Sequence, residues 1–125
     1  MKTIISTPKA PSAIGPYNQA TAFDKLIFTS GQIALDPATM EIVSGGVQEQ
    51  TKQVMENLKA VLEEAGSSFE NVLKTTCYLS DMDNFVAFNE IYGQYFKGET
   101  APARSTVAVK TLPKNVLVEV DTIAF

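Results

Sequence analysis

The chain has no histidine. That absence excludes Ser-His-Asp and Cys-His nucleophile systems, HExxH metalloprotease helices and the histidine acid–base pairs of many metal-free ribonucleases. Cys77 is the only cysteine, so no internal disulfide can form, thiolate zinc sites are excluded, and a reducing cytoplasm is the expected location. The longest uninterrupted apolar run is Phe85 to Phe88, far too short to span a bilayer. Met1 to Pro8 lacks the apolar core of a signal peptide, so a soluble protein that is not exported is expected. Positive charge is short as well. Ten Lys and Arg against fourteen Asp and Glu leave a net charge of −4, with no global cationic field to gather phosphates, which makes nucleic acid a poor default partner. Any chemistry must then rest on carboxylates, hydroxyls, Arg, Lys, amides and backbone groups.

What is present suffices for a packed core. The 125 residues are 45% hydrophobic and 19% charged, a balance that folds as one domain spanning residues 1–125. At this length roughly two-thirds of the unfolded surface is buried on folding, so no disulfide or structural metal is required. There is no internal repeat and no low-complexity tract.

Along the chain, Lys2 to Ile5 reads as a short strand stopped by an irregular arm, Pro8 to Pro16, that holds three prolines and Gly15. Tyr17 to Phe23 and Leu26 to Gln32 read as strands joined at Asp24-Lys25, with Asp36-Pro37 as a later turn. Val47, Thr51, Val54, Met55, Leu58, Val61, Leu62 and Ala65 fall at helical spacing, and Gly66 sits where a C-terminal cap belongs. Val72 to Leu79 is a strand, and a second helix opens near Asn84 and runs through Phe85, Phe88, Ile91, Tyr92 and Tyr95. Ala103 to Val109 and Val116 to Ala124 are the last strands, connected across Leu112-Pro113-Lys114-Asn115. The order predicts an α+β domain with a mixed sheet and two helices on one face. The other face then exposes apolar residues, Phe28 or Ile27 and Val118 or Leu117 depending on register, which points to burial against further subunits.

Arg104 starts a strand between small residues, where a planar guanidinium can donate two hydrogen bonds to a carboxylate; a surface or interface ion pair is the plainer account. Glu119 shares a strand face with Asp121 and Ile123. Among β-branched neighbours its carboxyl is partly desolvated, which raises its pKa and suits proton exchange with water, although a solvent face or a subunit salt bridge is the plainer account. Pairing Val109 with Val116 would set Thr106 opposite Glu119 and Arg104 opposite Asp121, on one face; a slip of one residue would undo it. Ser30-Gly31 ends a strand, where glycine admits a ligand to the backbone amide and a hydroxyl can donate. Tyr17 can cover a small ligand or simply pack, and Asn89 can contact a ligand or be a satisfied packing amide. Cys77 reads as a buried structural thiol.

Taken together, Ala13-Ile14-Gly15-Pro16-Tyr17, Phe28-Thr29-Ser30-Gly31-Gln32, and Pro102-Ala103-Arg104-Ser105-Thr106-Val107 followed by Leu112-Pro113 and Val118-Glu119-Val120 resemble the Rid family, specifically its RidA-type enamine/imine deaminases. The resemblance runs nearly end to end. It implies a chorismate-mutase-like α+β fold, a homotrimer with sites in clefts between subunits, and neither cofactor nor metal. It further implies hydrolysis of 2-aminoacrylate and 2-iminobutanoate, released from serine and threonine by pyridoxal-phosphate dehydratases, to 2-keto acids and ammonia. By that resemblance the carboxylate-binding arginine is Arg104 and the water-associated glutamate is Glu119. Tyr17, Ser30, Gly31 and Asn89 fall on the other substrate-binding positions. Thr106 departs from the family, where cysteine is common, but its hydroxyl can still bond a substrate or water. A function of another class uses the same cleft without this turnover: a small-molecule-sensing regulatory module, or a translation inhibitor acting on RNA.

Overall fold

The computed structural model describes residues 1–125. Strand β1 (Thr3–Ile5) leads into the arm; β2 (Ala20–Phe23) and β3 (Leu26–Thr29) form a hairpin; helix α1 (Val47–Glu64) is followed by β4 (Val72–Leu79), α2 (Phe85–Tyr95), β5 (Ala103–Ala108) and β6 (Val118–Ala124). The six strands form one mixed sheet in the order β1-β2-β3-β6-β4-β5. This is the α+β architecture read from the sequence, with strand ends trimmed by one to three residues except at β4, whose bounds agree.

Helix α1 follows from its apolar spacing. Val54, Met55, Leu58, Val61 and Leu62 are fully buried in the core formed with β3 and β6, each contributing about 1.5–3 kcal/mol over an exposed position. Gly46 donates its N–H to Glu49 Oε1 at 2.8 Å, closing the first turn. At the other end Gly66 takes φ +80°, where glycine is cheapest, while Ser67 N–H bonds Leu62 O and Gly66 N–H bonds Glu63 O; this is the Schellman arrangement that stops a helix. Helix α2 packs beside α1, and its Phe88 is fully buried.

Register decides what the second sheet face carries. Ile27 and Val118 turn toward the helices, while Phe28 stays 43% exposed; Leu117 precedes β6 and packs on the core edge. Alternation leaves Phe28, Thr76, Tyr78, Glu119, Asp121 and Ile123 on the face without helices.

The condition that would join the last two strands, Val109 paired with Val116, is not met. The last two strands are not neighbours, because β4 lies between them, parallel to β5 and antiparallel to β6. Thr106 sits opposite Cys77 and Arg104 opposite Thr75, whereas Glu119 pairs with Tyr78 and Asp121 with Thr76. The turn at Pro113–Asn115 therefore carries the chain across β4 instead of forming a hairpin.

Candidate active site

The proline-rich arm is ordered because Gln19, buried at the start of β2, satisfies its backbone. Gln19 Nε2 donates to Pro11 O at 2.8 Å and to Ala10 O at 3.2 Å, and Gln19 Oε1 accepts from Thr7 N–H at 2.6 Å. The arm, the end of β3 and the turn before β6 then enclose a cleft of about 440 Å³, lined among others by Ile14, Tyr17, Gly31, Gln32, Lys114 and Glu119. Lys114 and Asn115 both hold φ 56°, a left-handed conformation that costs of order 1 kcal/mol at a non-glycine residue. That turn delivers the lysine to the cleft.

Beyond Thr29 the ladder slips, and Gln32 is the next residue to bridge, to Val120. The slip leaves Gly31 N–H without a partner and exposed at the cleft. The hydroxyl expected to meet a ligand is already engaged: Ser30 Oγ donates to Asn18 O at 2.6 Å and Ser30 N–H to Gln19 O at 2.9 Å. Ser30 thus shapes the strand end, and Gly31 supplies the free donor. Tyr17 is 48% exposed at the rim, and its hydroxyl accepts from Ile14 N–H at 3.4 Å.

Glu119 is half-buried directly against Gly31. Its carboxyl is pushed above the ordinary carboxylate range by burial first and by the negative charge of Asp121 second. Asp121 is itself raised by burial. A Cβ on Gly31 would meet the Glu119 carboxylate, lying 2.8 Å from Cδ. Only the end of a flexible side chain stands in the way, so Gly31→Ala is expected to fold with a melting temperature close to wild type. Because the carboxylate must swing aside, turnover is expected to fall roughly tenfold to a hundredfold. Steady-state kinetics beside a melting curve check this, and full activity would mean that the position of Glu119 is unimportant.

Arg104 and Thr106 lie on the helix side of β5. Arg104 Nη1 donates to Asn89 Oδ1 at 2.6 Å, and the guanidinium carbon stands 4.8 Å from the Tyr92 ring centroid and 5.4 Å from that of Phe85. The arginine is exposed and held by a neutral amide and two rings, which leaves guanidinium donors for an incoming anion. Thr106 Oγ1 is buried without a hydrogen-bond partner. An orphaned hydroxyl of this kind costs about 1–3 kcal/mol, and it is closed off from the surface. The Cys77 thiol beneath is buried and raised to about 11, chiefly by burial, so it is protonated and unreactive at neutral pH.

The candidate residues therefore form two clusters. Tyr17, Ser30, Gly31 and Glu119 share the cleft, while Asn89, Arg104 and Thr106 share the α2 side of β5. The single shared face expected for Arg104 and Glu119 does not exist, since the two point to opposite sides of the sheet with β4 between their strands. Sequence reading missed Lys114, Phe85 and Tyr92. Phe85, Asn89 and Tyr92 stand at i, i+4 and i+7, one helical stripe, and that spacing was the available signal. No helix is long and apolar enough to cross a membrane.

The chain matches the family described as Endoribonuclease L-PSP over residues 7–125. It is 60% identical to a RutC family protein of Synechocystis over 122 residues, covering 97% of this chain and 94% of that one. It is 48% identical to the human 2-iminobutanoate/2-iminopropanoate deaminase over 124 residues, 99% of this chain and 90% of the relative. Among solved structures, the Rid protein YyfA of Yersinia pestis superposes with a TM-score of 0.96 at 46% identity, covering 99% and 98% of the two chains. E. coli TdcF with bound serine superposes with a TM-score of 0.91 at 43% identity, covering 98% and 97%. With agreement over nearly the whole chain in both sequence and fold, the protein belongs to the Endoribonuclease L-PSP family, the family of the Rid proteins.

Proposed function

We propose that residues 1–125 act as one domain of a cyclic homotrimeric enamine/imine deaminase, with 2-iminobutanoate and 2-aminoacrylate as substrates and 2-oxo acids and ammonia as products. The observation that carries the reading is the division of the candidate residues between two faces of one sheet. An anion-binding arginine and a raised carboxylate serve one small molecule only when the Arg104 cluster of one subunit closes over the Glu119 cleft of the next. The face carrying Phe28, Tyr78 and Ile123 is the surface that such an assembly covers. Identity to a human protein named for this activity, and the structure of a relative holding serine, an amino acid with an α-carboxylate, support the same reading.

In this site Arg104 binds the substrate carboxylate, with Asn89 holding the guanidinium; the unpartnered Thr106 hydroxyl lies buried beside it and bonds the substrate once the neighbouring side chains shift on binding. Gly31 N–H, on the strand end shaped by Ser30, donates to the substrate from the facing subunit, and Tyr17 closes the rim. The Glu119 carboxylate accepts a proton from water as the water oxygen bonds to the imine carbon. Glu119 returns that proton to the nitrogen to give the neutral carbinolamine, and then carries the hydroxyl proton of the adduct to the same nitrogen; the C–N bond breaks as C=O forms, and ammonia leaves with the C–N bonding electrons. 2-Aminoacrylate enters after tautomerising to its imine. The reaction is redox-neutral addition of water followed by elimination of ammonia, so these groups suffice without a cofactor.

Hydrolysis of freshly generated 2-iminobutanoate, followed by ammonia release, tests the activity, and equilibrium binding of 2-oxobutanoate runs beside it. Catalysed release is expected. Binding without turnover would instead make the cleft a sensor of 2-oxo acids. Light scattering is expected to give about three times the 13.5 kDa chain mass, and a stable monomer would sink the shared site.

A further inference from the structure

An exposed arginine at a sheet edge ordinarily samples many rotamers, and one hydrogen bond at Nη1 leaves the guanidinium free to swing about it. Arg104 is held more tightly than that. The Tyr92 ring lies 4.8 Å beneath its guanidinium carbon and the Phe85 ring 5.4 Å away, so two π-faces restrict the guanidinium while Asn89 fixes one end.

The Tyr92 ring is itself packed on several sides. It is 6% exposed and packs at 4.8 Å from the Phe96 ring and 5.4 Å from the Phe88 ring. Its hydroxyl shares a 2.8 Å hydrogen bond with Thr75 Oγ1. Thr75 is fully buried on β4, and its partner across the parallel ladder is Arg104. A closed circuit results, from the Arg104 backbone through Thr75 to the Tyr92 hydroxyl, and back through the Tyr92 ring to the guanidinium.

We propose that Tyr92 is a positioning residue for the Arg104 carboxylate clamp: its ring, with that of Phe85, sets the plane of the guanidinium, and its bond to Thr75 locks that plane to the strand carrying Arg104's neighbour. The inference rests on the reading of Arg104 as a carboxylate binder. With Nη1 turned toward Asn89 and the rings below, the open edge of the fork receives the 2-imino acid. Tyr92 touches no substrate and acts only through the arginine.

The test uses Tyr92→Phe, which keeps the ring, and Tyr92→Leu, which removes it, each also in an Arg104→Lys background. Affinity for 2-oxobutanoate, separate KM and kcat values, a melting curve and the NMR signal of the Arg104 Nε–H are measured. Tyr92→Phe is expected to weaken binding about threefold, and Tyr92→Leu about tenfold or more, mostly in KM, with the Nε–H signal moving toward that of a free arginine. In the Arg104→Lys background Tyr92→Leu is expected to add little. Binding within twofold of wild type for Tyr92→Leu, or an equal loss in both backgrounds, would overturn the proposal and leave Tyr92 a packing residue. Should Tyr92→Leu not fold, Phe85→Leu replaces it, with a threefold loss and a shifted Nε–H signal expected and no change in either overturning the proposal. If the wild-type protein neither turns over the imine nor binds 2-oxobutanoate, the deaminase reading fails first. The Nε–H signal of the variants then still decides whether the rings hold the guanidinium.

Discussion

Replacing Arg104 by lysine is expected to lower kcat/KM for 2-iminobutanoate about thirtyfold to a thousandfold while leaving the melting temperature nearly unchanged. The charge survives, but the planar fork does not, and a single ammonium holds a carboxylate without fixing its orientation. The imine carbon is then misplaced relative to the water at Glu119, a loss of about 2–4 kcal/mol in transition-state stabilisation. Stability is spared because Arg104 is exposed and its hydrogen bond runs to the neutral Asn89 amide. If Arg104 served only its exposed contact with the Asn89 amide, lysine would replace it at a cost of about 0–1 kcal/mol and turnover would survive. Single-turnover hydrolysis beside a melting curve separates the two, and wild-type-like hydrolysis by the lysine variant would refute the clamp.

How far the chain could be read from its sequence depends on whether each question is local. Helix α1 and strand β4 were legible because apolar spacing and the Gly66 stop are properties of the segments themselves, and the structure ends both close to where the pattern does. Which strands pair is not a local property. Ala103 to Val109 and Val116 to Ala124 are consecutive and joined by a short connection, which allows a hairpin without requiring one. The sheet instead inserts β4 between them, where Cys77 and Leu79 are fully buried beneath the helices. The register across β4 then sets Arg104 level with Thr75 and Thr122 and Glu119 level with Tyr78, so the two side chains fall on opposite faces. Ser30 illustrates a smaller miss: residue type suggested a free hydroxyl, and only the path of the arm reveals that Asn18 O already takes its proton. Lys114 was passed over because two consecutive left-handed residues without glycine leave no mark in composition.

Glu119→Gln is expected to reduce turnover about a hundredfold to ten-thousandfold and, at neutral pH, to raise the melting temperature. The amide keeps the shape beside Gly31 but cannot accept the water's proton. The stability gain follows from the sign of the shift. Burial and Asp121 place the folded-state pKa of Glu119 above its unfolded value, so its favourable contribution is fully present below the ordinary glutamate pKa of about 4.3 and is lost as pH rises through the raised folded value. The variant should therefore exceed wild type in stability near neutrality, and the difference should close as the pH approaches 4. In wild type the same group gives kcat/KM a rising acidic limb, with its midpoint above the ordinary glutamate value, and this limb is expected to vanish with glutamine. The variant also tests where the two halves of the site meet. Arg104→Ala and Glu119→Gln proteins, each nearly inactive alone, are refolded together in equal amounts so that cyclic trimers form at random. A site that takes Arg104 from one subunit and Glu119 from the next is intact in about one quarter of the interfaces, and recovery of about a quarter of wild-type activity is expected. If both residues served a substrate from within one chain, no mixture would recover any activity, because each chain lacks one of the two.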